Sequence, residues 1–251
     1  MNYKRALTRK PGPSFDRCIS DHPLKKYLNI GQARRQHEIY CNTLTELGLE
    51  VITLPHEDNY PDACFVEDTV VVHGNKAFFT RMAKESRQGE ETAIIEVLEN
   101  HFRIKTATAP ATVEGGDVIH LDDRLICGLT QRTNLEGIKQ MNRFLGVPID
   151  TIDAPHVMHL KSHITYLSRN TIAVTEAFSN LAVLQNFNHV IIPSFEKYAA
   201  NTLTINDVIL MPKMYPKSQD RVREAGFEVI PIDTSEFEKC GGALTCLSIL
   251  F

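Results

Sequence analysis

"FVEDTVVVHGNKAFFT", Phe65 to Thr80, reads as two apolar β-strands joined by a tight turn at "HGNK". The first run starts with two adjacent acids, Glu67 and Asp68, placed by this reading on the strand itself; Asp62 lies just upstream. Working outward, a helix-turn-strand unit precedes the pair, "TLTELGLEVITLP" from Thr43. The same unit recurs as "IIEVLENHFRIKTATAP" from Ile94, "MNRFLGVPIDTID" from Met141, "VLQNFNHVIIPS" from Val183 and "VREAGFEVIPID" from Val222. Gly or Asn supplies the helix stop in each, with Asn100-His101 serving in the second.

After each unit comes a further strand pair: "GGDVIHLDDRLICGLT", "HITYLSRNTIAVTE", "NTLTINDVILMP", and finally "LTCLSILF", which the N-terminal "YKRALTRK" completes. A period of about 40 to 50 residues is the signature of stacked or radial repeats. Five mixed β/α units therefore predict an α/β fold arranged as a five-bladed propeller of pseudo-fivefold ββαβ units around a central active site, with helices outside. One catalytic domain, residues 1–251, is expected, since no Ser/Gly linker, low-complexity tract or charge block divides the chain.

The 251 residues are 43% hydrophobic and 23% charged, with a formal net charge of -4. That composition is ordinary for a globular protein and offers no basic face to nucleic acid or an anionic membrane. No run approaches the roughly 18 apolar residues of a membrane span. The polar "MNYKRALTRKPG" start has no apolar signal core, which points to the cytoplasm. None of the six cysteines, Cys18, Cys41, Cys64, Cys127, Cys240 and Cys246, forms a CxxC pair. This argues against a structural zinc site, and a reducing compartment argues against a disulfide framework. Most of the thiols are expected to be small core residues.

Chemistry-bearing residues fall at one phase of the repeat, at or before the first strand of each pair: Glu67-Asp68, Glu114 and Asp117, His159 and His163, and Cys246, read as lying in an apolar strand. A thiol, an imidazole and carboxylates brought together make a nucleophile, a general acid/base and a cation receptor. Paired acids match the forked donors of a planar guanidinium. Chemistry alone leaves His159 and His163 equal candidates for the acid/base.

The motifs "PDACFVEDTVVV", "EGGDV", "RTN" at Arg132 to Asn134, "HLKS" at His159 to Ser162 and "GGALTC", taken in order, resemble the guanidine-modifying superfamily of amidinotransferases and arginine deiminases. Within it the chain is most similar to the dimethylarginine dimethylaminohydrolase family. The resemblance runs from Arg5 to the C-terminus and implies the five-bladed propeller, the pentein fold. It implies hydrolysis of an N-methylated arginine to citrulline and an alkylamine, with no metal or organic cofactor, and a homodimer. By resemblance Cys246 is the nucleophile, His159 the acid/base and Glu114 the group that orients it. Asp68, with Glu67 beside it, receives the cation; Asp62 is more peripheral and could equally cap a loop; Phe65 walls the alkyl arm, and Arg132 and Arg87 bind the α-carboxylate. Arg81 competes with Arg87 for that role. Asp117 is expected to brace the Gly-Gly turn, His163 to make a structural hydrogen bond, and Cys64 to pack.

One departure matters. Arginine deiminases carry an acid two residues after the histidine, and here Lys161 stands there. That disfavours a guanidinium with two free terminal nitrogens. A deiminase or amidinotransferase remains the alternative enzyme. A non-enzymatic binding protein on the same fold would lack the Cys, His and acid set. Zinc inhibition at Cys246 with His159 would have an incomplete ligand set.

Overall fold

The structure, a computed structural model, describes residues 3–251. Fifteen strands form five three-stranded sheets. The first contains β1 (Arg5–Arg9), β2 (Glu50–Leu54) and β15 (Ile249–Leu250). The others are β3 (Val70–His73), β4 (Lys76–Phe79) and β5 (Arg103–Thr106); β6 (Val118–His120), β7 (Leu125–Leu129) and β8 (Ile149–Asp153); β9 (Ile164–Ser168), β10 (Thr171–Thr175) and β11 (Asn188–Ile192); and β12 (Leu203–Ile205), β13 (Val208–Pro212) and β14 (Glu228–Ile232). In every sheet the middle strand pairs antiparallel on one side and parallel on the other, as in Val70↔Phe79 and Lys76↔Arg103.

The parallel partner needs a crossover, which a helix supplies. These are α1 (Ile30–Glu46), α2 (Thr92–Leu98), α3 (Leu135–Leu145) and α4 (Pro216–Glu224); α5 (Ser235–Glu238) is a single extra turn. The fourth unit departs from the sequence reading, because "VLQNFN" forms a short 3-10 turn at Ala182–Leu184 and no α-helix. The connection between β10 and β11 is divided instead between two one-turn 3-10 helices, Glu176–Phe178 and Ala182–Leu184, each too short to nucleate an α-helix.

The turns are legible from the residues. Asn206 and Asp207 both take left-handed φ, 48° and 70°, which a two-residue hairpin requires and these side chains tolerate. Asn134 caps α3 by accepting from Gly137 N at 2.8 Å, and Gly146 closes it at φ 71°.

The middle strands read as continuous apolar runs because both faces are covered. Alternate residues go to opposite neighbours: Phe78 packs with Val118, Leu125 and Met141, while Ala77 and Phe79 pack with Leu7, Ile94 and Ile249. Ile126 turns to Ile164 and Ile172, Ala173 to Ile209 and Met211, and Leu210 to Ala6 and Tyr40. Five apolar clusters thus join each sheet to the next and the last to the first. Such a closed cycle fits a pseudo-fivefold arrangement. The N-terminal β1 sits between β15 and β2, so both chain ends complete one sheet, as the repeat predicted.

Two local readings are corrected. Glu67 and Asp68 lie on a one-turn 3-10 helix, Val66–Thr69, ahead of β3, and Cys246 lies on another, Thr245–Leu247, ahead of β15. The cysteines also differ from expectation, for Cys18 and Cys240 form a disulfide across 222 residues of sequence. Spacing in the chain carries no information about such a pair; folding brings them to 5.8 Å between Cα atoms. Among the described residues no helix is long and apolar enough to cross a membrane.

Candidate active site

Short helices of this kind precede the first strand of each sheet and aim their side chains to one end. Glu114 and His159 are the residues that open two of them, Gly115–Asp117 and Leu160–Ser162. His159 Nε2 lies 2.7 Å from Glu114 Oε2 and 3.6 Å from Asp68 Oδ1. Glu114 is itself fixed by Ala83 N, which donates to Oε1 at 3.0 Å. The approach is close because Gly116 has no side chain: a Cβ there would stand 2.8 Å from the His159 ring. Gly116 N also donates to Asp68 Oδ1 at 3.0 Å.

Arg87 organises the acids. Its Nη1 reaches Asp68 Oδ2 at 2.9 Å, and its Nε and Nη2 grip Glu90 in a two-point pair at 2.9 and 2.8 Å. Glu90 escaped the sequence reading, although its position three residues after Arg87 was a signal for a local ion pair. Arg132 is different. It is 5% exposed, and its Nη1 stands 4.0 Å from Glu114 Oε1, an ion pair too long for a hydrogen bond, so this buried donor has no hydrogen-bond partner among the described residues. A buried unpaired guanidinium N–H is costly, so a site that leaves one is built to receive an acceptor.

These groups surround a cleft of about 20 Å³ lined by Asp62, Phe65, Asp68, Arg87, Arg132 and Met158, with His159, Gly242 and Cys246. A volume of that size holds little more than one water. Ile19 and Cys240, which sequence reasoning missed, complete its wall with Gly241. Gly242 is there because a Cβ would meet the Phe65 ring at 2.1 Å.

The structure separates two acids that the sequence placed together. Asp68 faces the cleft, whereas Glu67 does not line it. Glu67 accepts from Lys161 Nζ at 2.5 Å and from Thr245 Oγ1 at 2.6 Å, and Asn201 Nδ2 donates to that hydroxyl at 3.0 Å. This layer forms the floor of a second, larger cavity of about 400 Å³, which contains neither Cys246 nor His159. The direct contact expected between Glu67 and a guanidinium is therefore replaced by an internal ion pair. Arg81 is also outside the cleft, with Nη1 donating to the Ala111 carbonyl at 3.4 Å. Asp117 braces the turn as expected, accepting from Thr133 Oγ1 at 2.6 Å and Leu160 N at 2.8 Å. His163 meets Thr175 Oγ1 at 3.2 Å and stacks on Phe178, and Cys64 is buried.

Charge follows from this geometry. Burial alone would lower the His159 pKa, but Asp68 and Glu114, with Asp117, outweigh it and raise the imidazole to about 9. His159 is thus an imidazolium at neutral pH. Burial, reinforced by Glu67 and Asp68, pushes the Cys246 thiol up, so the resting thiol is protonated. For Asp68 burial acts upward, yet His159 and Arg87 hold it below the usual carboxylate range. Asp68, Glu114 and His159 also place ligand atoms within 4.8 Å of one another, a spacing a metal could use. The Arg87 guanidinium and the imidazolium already neutralise those acids.

Comparison with known proteins gives the chain a family. A family model for "N,N dimethylarginine dimethylhydrolase, eukaryotic" matches residues 16–249. The chain is 33% identical over 255 residues to the N(G),N(G)-dimethylarginine dimethylaminohydrolase of Pseudomonas aeruginosa, covering 99% of this chain and 100% of that one. The chain belongs to the dimethylarginine dimethylaminohydrolase family. Its relative of the same name from Streptomyces coelicolor is 31% identical over 253 residues, covering 99% and 97% of the two chains. Among solved structures, a cysteine-to-serine mutant of the Pseudomonas aeruginosa family member complexed with citrulline superposes with TM-score 0.97 at 32% identity over 100% of both chains. A second family structure, a histidine-to-glycine mutant bearing an adduct of S-methyl-L-thiocitrulline, gives 0.96 at 32% identity over 99% and 100%.

Proposed function

We propose that this chain hydrolyses the substituted guanidinium of N-methylated arginines, producing citrulline and an alkylamine. Residues 1–251 act as one catalytic domain, with the five sheets as blades of a propeller around the cleft. Methylated arginine enters with its guanidinium at Asp68 and its alkyl arm along Phe65. Arg132, helped by the donors of Arg87 left free by Asp68 and Glu90, anchors the α-carboxylate. Asp62, at the same wall, takes the α-ammonium. Glu67 acts from behind, through its pair with Lys161 and Thr245.

The substrate brings the positive charge that the resting cleft lacks beside Cys246, and so favours the thiolate. The thiolate attacks the central guanidinium carbon. His159, held on Glu114, gives its proton to the departing alkylamine. The resulting thiouronium carbon is then attacked by water, which His159, now neutral, deprotonates. Citrulline leaves and Cys246 is restored. Remote contacts at Arg132 position the reacting carbon.

The observation that carries this reading is one cleft walled by a thiol, an imidazolium on a carboxylate, and an arginine N–H without a partner. Citrulline bound to a family member of near-identical fold supports it. The test is citrulline formation from asymmetric dimethylarginine, monomethylarginine and arginine in separate incubations. Turnover of the methylated substrates with little from arginine is expected. Citrulline chiefly from arginine would make the chain a deiminase and overturn the meaning given to Lys161.

A further inference from the structure

The cleft is covered by a strap that runs from the one-turn helix Pro13–Arg17 to Asn29, the N-cap of α1. Asp21, Pro23, Leu24, Lys26 and Tyr27 are exposed, and the strap pairs with no strand. Few points hold it. Cys18 is bonded to Cys240. Ile19 N donates to both oxygens of Asp62, at 3.2 and 3.1 Å. Ser20 Oγ donates to the Lys239 carbonyl at 2.8 Å, Lys239 Nζ to the Tyr27 carbonyl at 3.1 Å, and Asn29 N to Glu236 Oε2 at 2.8 Å. Between Cys18 and Asn29, apart from Asp62 and the packing of Leu28 on the core, these anchors lie between Glu236 and Cys240, on the segment that leads into Cys246.

A closed cleft of about 20 Å³ cannot admit an arginine. Ile19 is the strap residue in the cleft wall, so moving this end of the strap away would make room for substrate and returning it would close the wall. Segments with little buried apolar surface open at low free energy. Reclosure, however, orders the strap again, and the cost depends on how firmly one end is already tethered. The cystine is that tether. It stands next to Ile19, and its Cys240 half is part of the cleft wall.

We infer that the Cys18–Cys240 disulfide is a redox-sensitive positioning clamp: oxidised, it returns Ile19 to Asp62 and fixes the subsite for the amino-acid end of the substrate; reduced, it lets the strap drift and weakens substrate binding. The claim rests on the reading of Asp62 and Arg132 as holding that end. Reduction balances with two equivalents of a low-molecular-weight thiol. The first attacks one sulfur, forms a mixed disulfide and expels the other cysteine as thiolate. The second attacks the mixed disulfide and leaves as the low-molecular-weight disulfide. Two electrons pass to the protein, and the two protons of the incoming thiols end on Cys18 and Cys240. The same small disulfide, in excess, drives the reverse.

Two measurements test this on the intact chain. In the first, unfolded protein is alkylated with iodoacetamide, with and without prior phosphine reduction, and mapped by peptide mass. Cys41, Cys64, Cys127 and Cys246, the free thiols, are expected to react in both samples, and Cys18 and Cys240 only after reduction. Alkylation of Cys18 and Cys240 without reduction ends the proposal, whatever the substrate proves to be. In the second, steady-state kinetics on the methylarginine that is turned over compare oxidised, phosphine-reduced, Cys18→Ser and Cys240→Ser proteins. Reduction is expected to raise KM about tenfold with kcat changed less than about twofold, an amount in keeping with ordering one short segment. Either serine variant should match the reduced protein and ignore the reductant. If neither variant folds, the reduced wild type still decides the matter. A fall in Tm with KM unchanged would mean a purely structural bond and overturn the clamp. Absence of turnover on every guanidine would sink the functional reading instead, and leave the alkylation result standing.

Discussion

The two cavities on either side of the Glu67–Lys161–Thr245 layer make an instructive pair. The larger, about 400 Å³, is lined mostly by strand residues such as Val70, Ile119, Leu167 and Leu203. Among the described residues its charged side chains, histidines aside, are Asp122 and the Glu67–Lys161 pair. The cleft beyond that floor has about a twentieth of the volume and holds the thiol, the imidazolium and the unpartnered Arg132 donor. Size marks where sheets fail to meet; convergent, mutually perturbed polar groups mark where chemistry is prepared. Burial is used differently on the two sides. Around the cleft it sets Asp68, Glu114 and His159 on named partners and leaves an Arg132 N–H without a hydrogen bond, whereas at the floor it holds one ion pair, Glu67–Lys161, at the edge of a cavity.

That contrast can be broken most directly at Cys246. Cys246→Ser should lower kcat by at least about 10⁴-fold while leaving the melting curve unchanged, since an alcohol is a far weaker nucleophile at neutral pH. Substantial turnover by this variant, measured as citrulline, would remove the cleft from consideration. His159→Asn comes next, with an expected loss of about 10² to 10⁴-fold, the usual worth of a general acid and base.

The pH dependence sharpens the same point. Because His159 titrates at about 9, kcat/KM should show its falling limb there. Glu114→Gln, by removing a carboxylate that favours the imidazolium, should move that limb toward lower pH. For stability the sign is as follows. The folded value lies above the ordinary 6.5, so protonated His159 stabilises the fold fully below pH 6.5, and the contribution disappears as pH rises through about 9.

On the floor, Lys161→Met leaves Glu67 buried without its cation and should destabilise the fold by about 3 kcal/mol, read by denaturant unfolding. A stability unchanged by this substitution would show the partition to be solvated. Arg132→Ala should cut kcat/KM about 30-fold or more, chiefly through KM, as expected if Arg132 holds the substrate's carboxylate through charged hydrogen bonds. Smallest of all, His73→Ala, in the wall of the larger cavity, should alter kcat/KM by less than about twofold. A large effect there would mean that the two cavities communicate and would undo the comparison.

Much of this molecule is legible along the chain. The strand pairs, their turns and the closing of one sheet by both termini follow from apolar runs, Asn-Asp and Gly-Asn turn chemistry, and a period of about 45 residues. The continuous apolar character of β4, β7, β10 and β13 is explained by a strand packed between two neighbours. In the fourth unit two 3-10 turns stand where the sequence led one to expect a helix between β10 and β11. The candidate groups Cys246, His159, Glu114, Asp68 and Arg132 were recognisable by type and motif, and the fold brings all five together.

What the chain could not announce depends on rotation and on distance. Read on a strand, Glu67 and Asp68 would point to opposite faces; on a 3-10 turn successive residues are about 120° apart. That rotation sends Asp68 into the cleft and Glu67 to Lys161. The grip of Glu90 on Arg87, the missing partner of Arg132 and the bond between Cys18 and Cys240 likewise exist only once segments remote in sequence are packed. Local periodicity and turn residues act over a few neighbours, so sequence determined the units and the kinds of chemistry they carry. Pairing of buried charges and sulfurs is a matter of ångströms between distant segments, and only the tertiary structure decided it.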